Sequence, residues 1–378
     1  MYKRQAYGGS TASILLNLPG AASSAVTCLD GYPMAKQGRA GVALFTSAAA
    51  SFVAASIGIV IMMLFSPVIV ELALQFSPAE YFSLMVMGMI AASVISDGSP
   101  AKSLAMVVLG ILCGLIGLDI YTGVPRLAFG LPELYDGISL GVVAMGLFGL
   151  GEVISSIGNV HTVSVNKDIN MKSIMPTRDD LRQAWPATLR GTAIGSFFGI
   201  LPGAGATVAA FMAYAVEKRV AKDPSRFGKG AIEGVASPEA ANNACDQTAF
   251  IPTMTLGIPG SATMALMIGV LMIHGITPGP TIMVERPDLF WGLVMSFWLG
   301  NVLLVILNLP MIGIWVKVLM IPYHILFPSI LMFVCIGAFS LHNDTFDVFS
   351  VILFGALGYG MRLLAFPAAP FLLGFVLG

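Results

Sequence analysis

The chain has 378 residues, of which 57% are hydrophobic and only 10% are charged, and its mean hydropathy is +0.87. A soluble domain carries about 25% charged residues. The composition therefore excludes an ordinary soluble protein and predicts a polytopic membrane protein. The net charge of -1 gives no argument for nucleic-acid binding.

Neither end of the sequence reads as a natural boundary. The run from Ala6 to Gly20 is interrupted by glycine and proline and lacks the clean apolar core of a cleavable signal peptide. The sequence is still apolar where it stops at Gly378. We therefore expect a fragment of a longer protein.

Apolar stretches that could cross a bilayer occur along the whole chain. A spanning helix needs about 20 predominantly apolar residues. Lys and Arg favour the cytoplasmic side, and with four alternating spans in the first half the basic segments 36–40, 97–102 and 158–190 all lie there. The candidate spans are, in chain order, 41–70, 79–96, 102–118, 137–157, 289–316, 322–341 and 346–376.

Two further apolar stretches, 191–216 and 249–275, are interrupted at their centres by proline and glycine. Proline removes a backbone donor and glycine leaves the backbone open. Within hydrocarbon such a break is tolerated only where it is buried in protein or lines a polar cavity. The breaks are Leu201-Pro202-Gly203-Ala204-Gly205-Ala206-Thr207 and Leu256-Gly257-Ile258-Pro259-Gly260-Ser261-Ala262-Thr263, with a partial copy at Leu16-Asn17-Leu18-Pro19-Gly20-Ala21-Ala22-Ser23-Ser24.

Each half of a broken stretch is too short to cross a bilayer alone, so each stretch is either a re-entrant hairpin or a single broken span. The segment 217–247 is polar and basic. A hairpin that returns to the cytoplasmic side keeps this segment there, which favours re-entrance.

The repeated breaks indicate an internal duplication. We predict an all-α polytopic membrane protein with an internal repeat and broken or re-entrant helical hairpins. Residues 1–187 form a first repeat with four spans, and 188–378 form a second repeat with two broken segments and about three to four spans. Whether the repeats are parallel or inverted stays open.

The residues after each break suit a negatively charged ligand. The first amides of a helix have no intrahelical partner, and the helix N-terminus carries partial positive charge. Such an end binds carboxylate or phosphate groups. The small and hydroxyl residues that follow Gly20, Gly203 and Gly260 would let a ligand approach these amides. The alternative interpretation is a packing kink between membrane helices.

The segment from Ser237 to Asp246 holds two adjacent amides, Asn242 and Asn243, and two carboxylates. These oxygen-bearing side chains could coordinate substrate or a cation. The alternative is a capped loop, with Ser237 as N-cap and Pro238 at the first helical position. Both interpretations are compatible with the sequence.

Several function classes lack their motifs. The sequence contains no G-x-x-x-x-G-K-[ST], H-E-x-x-H or G-x-S-x-G run, so nothing predicts ATP hydrolysis or an enzyme. The cysteines and histidines show no metal-ligand spacing. No metal site and no cofactor is predicted, apart from a coupling proton or a sodium ion near Asn17 and Asn242.

Several long motifs occur in one order. The first runs Tyr7-Gly8-Gly9-Ser10-Thr11, then Ile14-Leu15-Leu16-Asn17-Leu18-Pro19-Gly20, then Asp30-Gly31-Tyr32-Pro33-Met34-Ala35. The second runs Gly199-Ile200-Leu201-Pro202-Gly203-Ala204-Gly205-Ala206, Pro238-Glu239-Ala240-Ala241-Asn242-Asn243 and Leu256-Gly257-Ile258-Pro259-Gly260-Ser261, and closes at Pro278-Gly279-Pro280. Together they resemble the large membrane subunit, TctA-type, of tripartite tricarboxylate transporters.

The resemblance implies a permease of the bacterial inner membrane. Such a permease works with a small membrane subunit and a periplasmic solute-binding protein that delivers a carboxylate, and a proton or sodium gradient drives it. A channel-like passive anion pore is the alternative, because re-entrant loops also build selectivity filters. The residues expected to bind substrate are Ser10, Thr11, Asn17, Pro19, Gly20, Ala21, Ser23, Pro202, Gly203, Ala204, Gly205, Ala206, Thr207, Asn242, Asn243, Pro259, Gly260 and Ser261.

Overall fold

The structure is a computed structural model and is 79% helical. It describes residues 9–15, 17, 21–77, 79–80, 82–83, 86–87, 90, 99–119, 124–156, 175–201, 205–310 and 323–377. Residues 9–15 are helical. The further helices are α1 (Ala25–Met34), α2 (Ala40–Ala73), α3 (Pro100–Gly114), α4 (Leu140–Ala144), α5 (Gly151–Ser156), α6 (Arg178–Ile200), α7 (Gly205–Val220), α8 (Glu233–Thr248), α9 (Phe250–Thr255), α10 (Ala262–Ile273), α11 (Ile282–Glu285), α12 (Pro287–Asn308), α13 (Tyr323–His342), α14 (Thr345–Leu363) and α15 (Ala368–Leu377).

Short irregular elements join some of these helices. A two-stranded antiparallel ribbon follows α3 and pairs β1 (Gly117–Leu118) with β2 (Pro125–Arg126). The π-helical turns Ala35–Arg39 and Met145–Leu150 connect α1 to α2 and α4 to α5. Single 3₁₀ turns occur at Ala22–Ser24, Pro132–Leu134 and Pro224–Arg226.

Three helical stretches of the described chain are long and apolar enough to cross a membrane: Ala25–Ala73, Pro287–Asn308 and Thr345–Leu363. The longest uninterrupted helix, α2, has 34 residues and is about 51 Å long at 1.5 Å per residue. A hydrocarbon core is about 30 Å thick. These helices support the prediction of a membrane protein.

Most predicted spans coincide with helices, but the last one does not. Residues 346–376 were expected as one span, whereas the structure breaks them between α14 and α15. Ala365 adopts φ +53, and the Phe366 N–H donates to the Met361 carbonyl at 2.7 Å. This is the bond of a Schellman helix ending. Most of the predicted span 79–96 lies outside the described residues.

The segment 217–247 is not the polar loop expected from its charges. It contains the end of α7, a short 3₁₀ turn and then α8. Nearly all of α8 is buried, and Ser237 and Pro238 lie inside it. The capped-loop interpretation, with Ser237 as N-cap, is therefore wrong. Pro238 is tolerated because one lost backbone bond near a helix start is outweighed by burial of the whole segment.

The first broken stretch also differs from the expectation that each half is short. Helix α6 has 23 residues and is about 34 Å long. It begins at Arg178 because Thr177 and Asp180 form a capping box in which each side chain bonds the other's backbone N–H. The helix therefore starts well before the apolar stretch at residue 191.

The helices fall into two compact units. The first contains Met1–Phe76, Val163–Gly260 and Pro278–Met320. Its centre is α8, which packs against α1, α2, α6 and α7. The two spatial units are not the two sequence repeats, and the predicted repeat boundary between residues 187 and 188 stays a prediction.

Close backbone packing joins α6 to α8 in this unit. Gly191, Gly195 and Gly199 recur every four residues on the α6 face toward α8. A Cβ built on Gly191 would lie 2.2 Å from the Ser237 carbonyl oxygen, and one on Gly195 would lie 2.1 Å from that of Ala241. Small residues at this spacing let membrane helices approach at backbone distance.

The second unit contains Ser77–Thr162, Ser261–Thr277 and Ile321–Gly378. Helices α3 and α15 meet through reciprocal glycines. A Cβ on Gly110 would lie 2.0 Å from the Phe371 carbonyl oxygen, and one on Gly374 would lie 2.1 Å from that of Val107. Buried apolar side chains from α4, the π-helical turn Met145–Leu150, α14 and α15 form its core, among them Val142, Leu147, Val351, Phe354, Phe371 and Leu372.

Candidate functional site

The first break separates α6 from α7. Leu201 leaves the helical conformation with φ -80 and ψ 121, and Gly205 starts α7 with φ +64, a left-handed conformation that favours glycine. Pro202, Gly203 and Ala204 lie outside the described residues. The first N–H groups of α7 have no intrahelical acceptor. Ala206 in that turn is buried and Thr207 is half-buried.

An ion pair connects the two helices that flank this break. Arg190 Nε donates to Glu217 Oε2 at 2.9 Å, and Nη2 donates to Oε1. The Glu217 side chain is only 2% exposed. Arg190 precedes the break by about as many residues as Glu217 follows it, so α7 runs back along α6.

The second break lies between α9 and α10. Gly257 adopts φ +68, and the Ile258 N–H donates to the Pro252 carbonyl at 3.2 Å. The Gly279 N–H donates to the Met254 carbonyl at 3.1 Å. Pro259 and Gly260 are buried. The predicted closing motif around Pro278 therefore packs directly on the break.

The two breaks lie side by side in the first unit. A Cβ on Gly260 would be 3.7 Å from the Gly199 carbonyl oxygen and 3.9 Å from that of Leu201. These are ordinary contact distances, so Gly260 lies next to the end of α6. Ser261 belongs to the second unit, where its Oγ accepts the Met264 N–H at 3.3 Å and caps α10.

The partial third break is described only after its proline and glycine. Pro19 and Gly20 lie outside the described residues, and Asn17 is exposed with φ +56. Ala21 is half-buried, and Ser23 is buried in the 3₁₀ turn. This turn contacts α7 within the first unit. All three breaks therefore contribute described residues to one unit.

A buried polar cluster surrounds Glu239, one of the two carboxylates of the segment from Ser237 to Asp246, which the list of expected substrate-binding residues does not include. Ser10 Oγ donates to Glu239 Oε2 at 2.5 Å, and Thr27 Oγ1 donates to Oε1. Glu239 is 0% exposed. The first signature and the second signature therefore meet at this carboxylate. Thr11, beside Ser10, is also buried.

The predicted amide pair belongs to the same cluster. Asn243 Nδ2 donates to Ser51 Oγ at 2.8 Å, to the Glu239 carbonyl at 3.0 Å and to Asn242 Oδ1 at 2.6 Å. Both asparagines are buried. Ser10, Asn242 and Asn243 therefore all lie in the cluster around Glu239, and their role in binding substrate stays a prediction.

Asp30 fixes the entry to α8, and sequence reasoning missed this role. Its Oδ1 accepts the N–H groups of Gly228, Gly230 and Ala231 at 2.8–2.9 Å. Its Oδ2 accepts the Tyr214 hydroxyl at 2.9 Å. The available signal was that Asp30 belongs to the first signature motif, in the run Asp30-Gly31-Tyr32-Pro33.

Charged groups at the start of α6 hold that helix end in place. Burial acts to raise the pKa of Asp180, but hydrogen bonds from the Thr177 backbone and hydroxyl and from Arg39 outweigh it and lower the pKa.

In the part of the chain that the structure describes, no three His, Cys, Asp or Glu side chains are grouped closely enough to hold a metal ion.

Comparison with known proteins identifies the family. The family described as "Tripartite tricarboxylate transporter TctA family" matches residues 1–373. The chain belongs to the TctA family. Membership makes it a component of a tripartite transporter that has other subunits. The family is one of transporters.

Relatives of this TctA-family chain occur in Agrobacterium vitis. An uncharacterized 52.8 kDa protein in the TAR-I ttuC' 3' region is 46% identical over 381 residues, covering 100% of this chain and 75% of the relative. An uncharacterized protein in the TAR-II ttuC' 3' region is 55% identical over 184 residues, covering 49% of this chain and 76% of the relative. No solved structure shows significant similarity.

Proposed function

We propose that the chain is the permease subunit of a binding-protein-dependent secondary transporter in the bacterial inner membrane. It imports carboxylates, either citrate-like tricarboxylates or related organic acids. A small membrane subunit and a periplasmic solute-binding protein are its partners, and a proton or sodium gradient drives uptake. Family membership and the long apolar helices support this proposal.

The observation that carries the proposal is the juxtaposition of two helix breaks in the first unit. Gly260 lies beside the carbonyl oxygen of Leu201, where α6 ends, and α7 starts a few residues later. The α7 N-terminus directs unpaired amides and partial positive charge toward this place. A substrate carboxylate bound there would replace water as the acceptor for those amides.

The ion pair between Arg190 and Glu217 supports a re-entrant arrangement of α6 and α7. Because α7 runs back along α6, both basic flanks of this hairpin emerge on the same side of the membrane. That arrangement agrees with the cytoplasmic preference of Lys and Arg. Broken helices that present backbone groups near the bilayer midplane are the sites at which secondary transporters hold substrate and ions.

The test compares two substitutions at Gly260. A Cβ at this position meets the Ala249 Cβ at 3.6 Å and no atom closer, so Gly260→Ala fits without displacement. Gly260→Leu places three further carbons beside the break. Uptake of labelled citrate, succinate and benzoate is measured with the full-length protein and its partner subunits.

Gly260→Ala is expected to transport like the wild type. Uptake by Gly260→Leu is expected to fall about tenfold or more, because a loss of about 1.4 kcal/mol of binding free energy weakens binding tenfold. Equal uptake by the two variants at equal expression would show that the carboxylate does not bind at this break. Uphill accumulation that an ionophore abolishes would exclude the alternative of a passive anion pore, which the same broken helices could form.

A further inference from the structure

Glu239 is, like Asp30, a fully enclosed carboxylate that the proposed substrate site does not use. It lies on α8 and is 0% exposed. The hydroxyls of Ser10 and Thr27 each contact one of its two oxygens. An ionised carboxylate in such surroundings carries a desolvation penalty of about several kcal/mol unless a positive charge is near.

No basic side chain of the described chain comes within ion-pair distance of Glu239. The helices packed on α8 supply few charged groups. On α6, Arg190 is paired with Glu217 of α7, and on α1, Asp30 is paired with Tyr214. Near Glu239, helix α2 contributes serines, and its one charged residue, Glu71, is exposed close to the other end of the helix. Helix α9 has no ionisable side chain.

The remaining ionisable groups near this carboxylate are neutral or acidic. Cys28 of α1 interacts electrostatically with Glu239, and α8 itself carries Glu233, Cys245 and Asp246. Glu233 is paired with Arg226. A negative charge on Glu239 is therefore not neutralised by any described neighbour.

Further polar side chains face the same carboxylate. Asn242 is 0% exposed, and its side chain faces the Glu239 carboxylate. Its Nδ2 makes no hydrogen bond of ordinary geometry within the described chain, but the Glu239 carboxylate lies near enough to interact with it. Ser10, Thr27 and this amide thus place donors around a carboxylate that has no described counter-ion. Ser47 faces the same carboxylate.

We propose that Glu239 is the group that binds and releases the driving proton, an inference that rests on the proposed function as a carboxylate symporter. When a proton binds, the carboxylate becomes a neutral acid, and its new O–H donates to the Ser10 or Thr27 hydroxyl, which can accept through a lone pair. No other bond forms or breaks. When the proton leaves, both hydroxyls donate to the carboxylate again.

The contacts favour a proton over a sodium ion. Both Glu239 oxygens are already at hydrogen-bond distance from a hydroxyl, and hard metal cations need several oxygen ligands arranged around a gap. A proton needs only a hydroxyl to turn. The cluster also lies between two of the breaks: Ser10 precedes the partial third break, while α8 reaches Gly199, near the first break at the end of α6, through Cys245.

The test is the neutral isostere Glu239→Gln in proteoliposomes with the partner subunits. With an imposed gradient of about one pH unit, one-for-one symport permits about tenfold accumulation, since one pH unit is worth about 1.36 kcal/mol. Wild type should reach this ratio without sodium. Glu239→Gln should not accumulate substrate, yet it should still exchange internal for external labelled substrate at a rate similar to wild type.

Glu233→Gln is the matched control, because it makes the same substitution on the same helix at a carboxylate already paired with Arg226. It should accumulate substrate like the wild type. Full pH-driven accumulation by Glu239→Gln would overturn the assignment, as would accumulation that requires sodium in the wild type. If the wild type neither accumulates nor exchanges carboxylates, the proposed function itself fails.

Glu239→Asp provides a second measurement if the glutamine variant does not fold. The aspartate keeps an ionisable carboxyl group, but its side chain is one methylene shorter, so the carboxyl lies farther from Ser10 and Thr27. Its accumulation should persist with a pH dependence shifted by about one unit, within the range that proteins impose on carboxyl groups. An unchanged pH profile would overturn the proposal.

Discussion

The Gly195→Ala substitution tests the packing that holds the candidate site together. Gly195 lies on α6 opposite Ala241 of α8. A Cβ added there would be 2.1 Å from the Ala241 carbonyl oxygen and 2.7 Å from its Cα. Both are backbone atoms, so no flexible side chain can move away. Since nonbonded carbon contacts are favourable at about 3.5–4.0 Å, the two helices must separate by about 1 Å.

The expected cost follows from this displacement. Overpacking a well-packed interior costs about 1–3 kcal/mol, whereas replacing glycine by alanine inside an exposed helix gains up to about 1 kcal/mol. Gly300→Ala on α12 is the matched control, because a Cβ there meets nothing within 4 Å. The helix-propensity gain is common to both substitutions, so we expect Gly195→Ala to be less stable than Gly300→Ala by about 1–3 kcal/mol, the cost of overpacking.

The assay is reversible unfolding of the purified protein in mixed micelles with increasing SDS, followed by circular dichroism. Substrate uptake by Gly195→Ala should fall as well, because α6 ends at the break beside Gly260. Equal unfolding free energies for the two alanine variants would show that α6 and α8 do not approach at backbone distance. The arrangement of the two breaks would then be wrong.

Two further predictions concern Asp30 and Asp180. Asp30→Ala leaves the N–H groups of Gly228, Gly230 and Ala231 without their acceptor, and a buried unsatisfied group costs about 1–3 kcal/mol. Proteolysis of the segment before α8 should therefore increase. Unchanged proteolysis would show that Asp30 does not hold this segment. Because hydrogen bonds lower the pKa of Asp180, its stabilisation is present above its unfolded pKa of about 4 and is lost as pH falls through the lower folded pKa. Asp180→Asn should therefore show a shallower acid loss of stability than wild type, and an identical acid profile would refute that role.

The helix breaks could be predicted because proline and glycine act locally. The chain leaves the helical conformation at Leu201 and Gly257, within the motifs that the sequence marks. The break at Ala365 was missed although Pro367 follows it, since the alanine itself gives no sign of a left-handed conformation. The ending depends instead on the bond from Phe366 to Met361.

The burial of α8 could not be predicted from its polar sequence. Asn242, Asn243 and Glu239 resemble a solvated segment by composition, and only the surrounding helices make them an interior cluster. The carboxylate contacts of Ser10 and Thr27 span more than two hundred residues of sequence. By contrast, the spacing of Gly191, Gly195 and Gly199 was visible and is typical of close helix packing.

The most direct test of the substrate site is protection of a cysteine in the first turn of α7. Thr207→Cys is half-buried beside the break, and Val220→Cys at the exposed far end of the same helix is the control. Both are made in a variant whose native cysteines are replaced. A carboxylate that the transporter imports should slow maleimide alkylation at Thr207→Cys and leave Val220→Cys unchanged. If no imported carboxylate slows alkylation at Thr207→Cys, substrate does not bind at the start of α7.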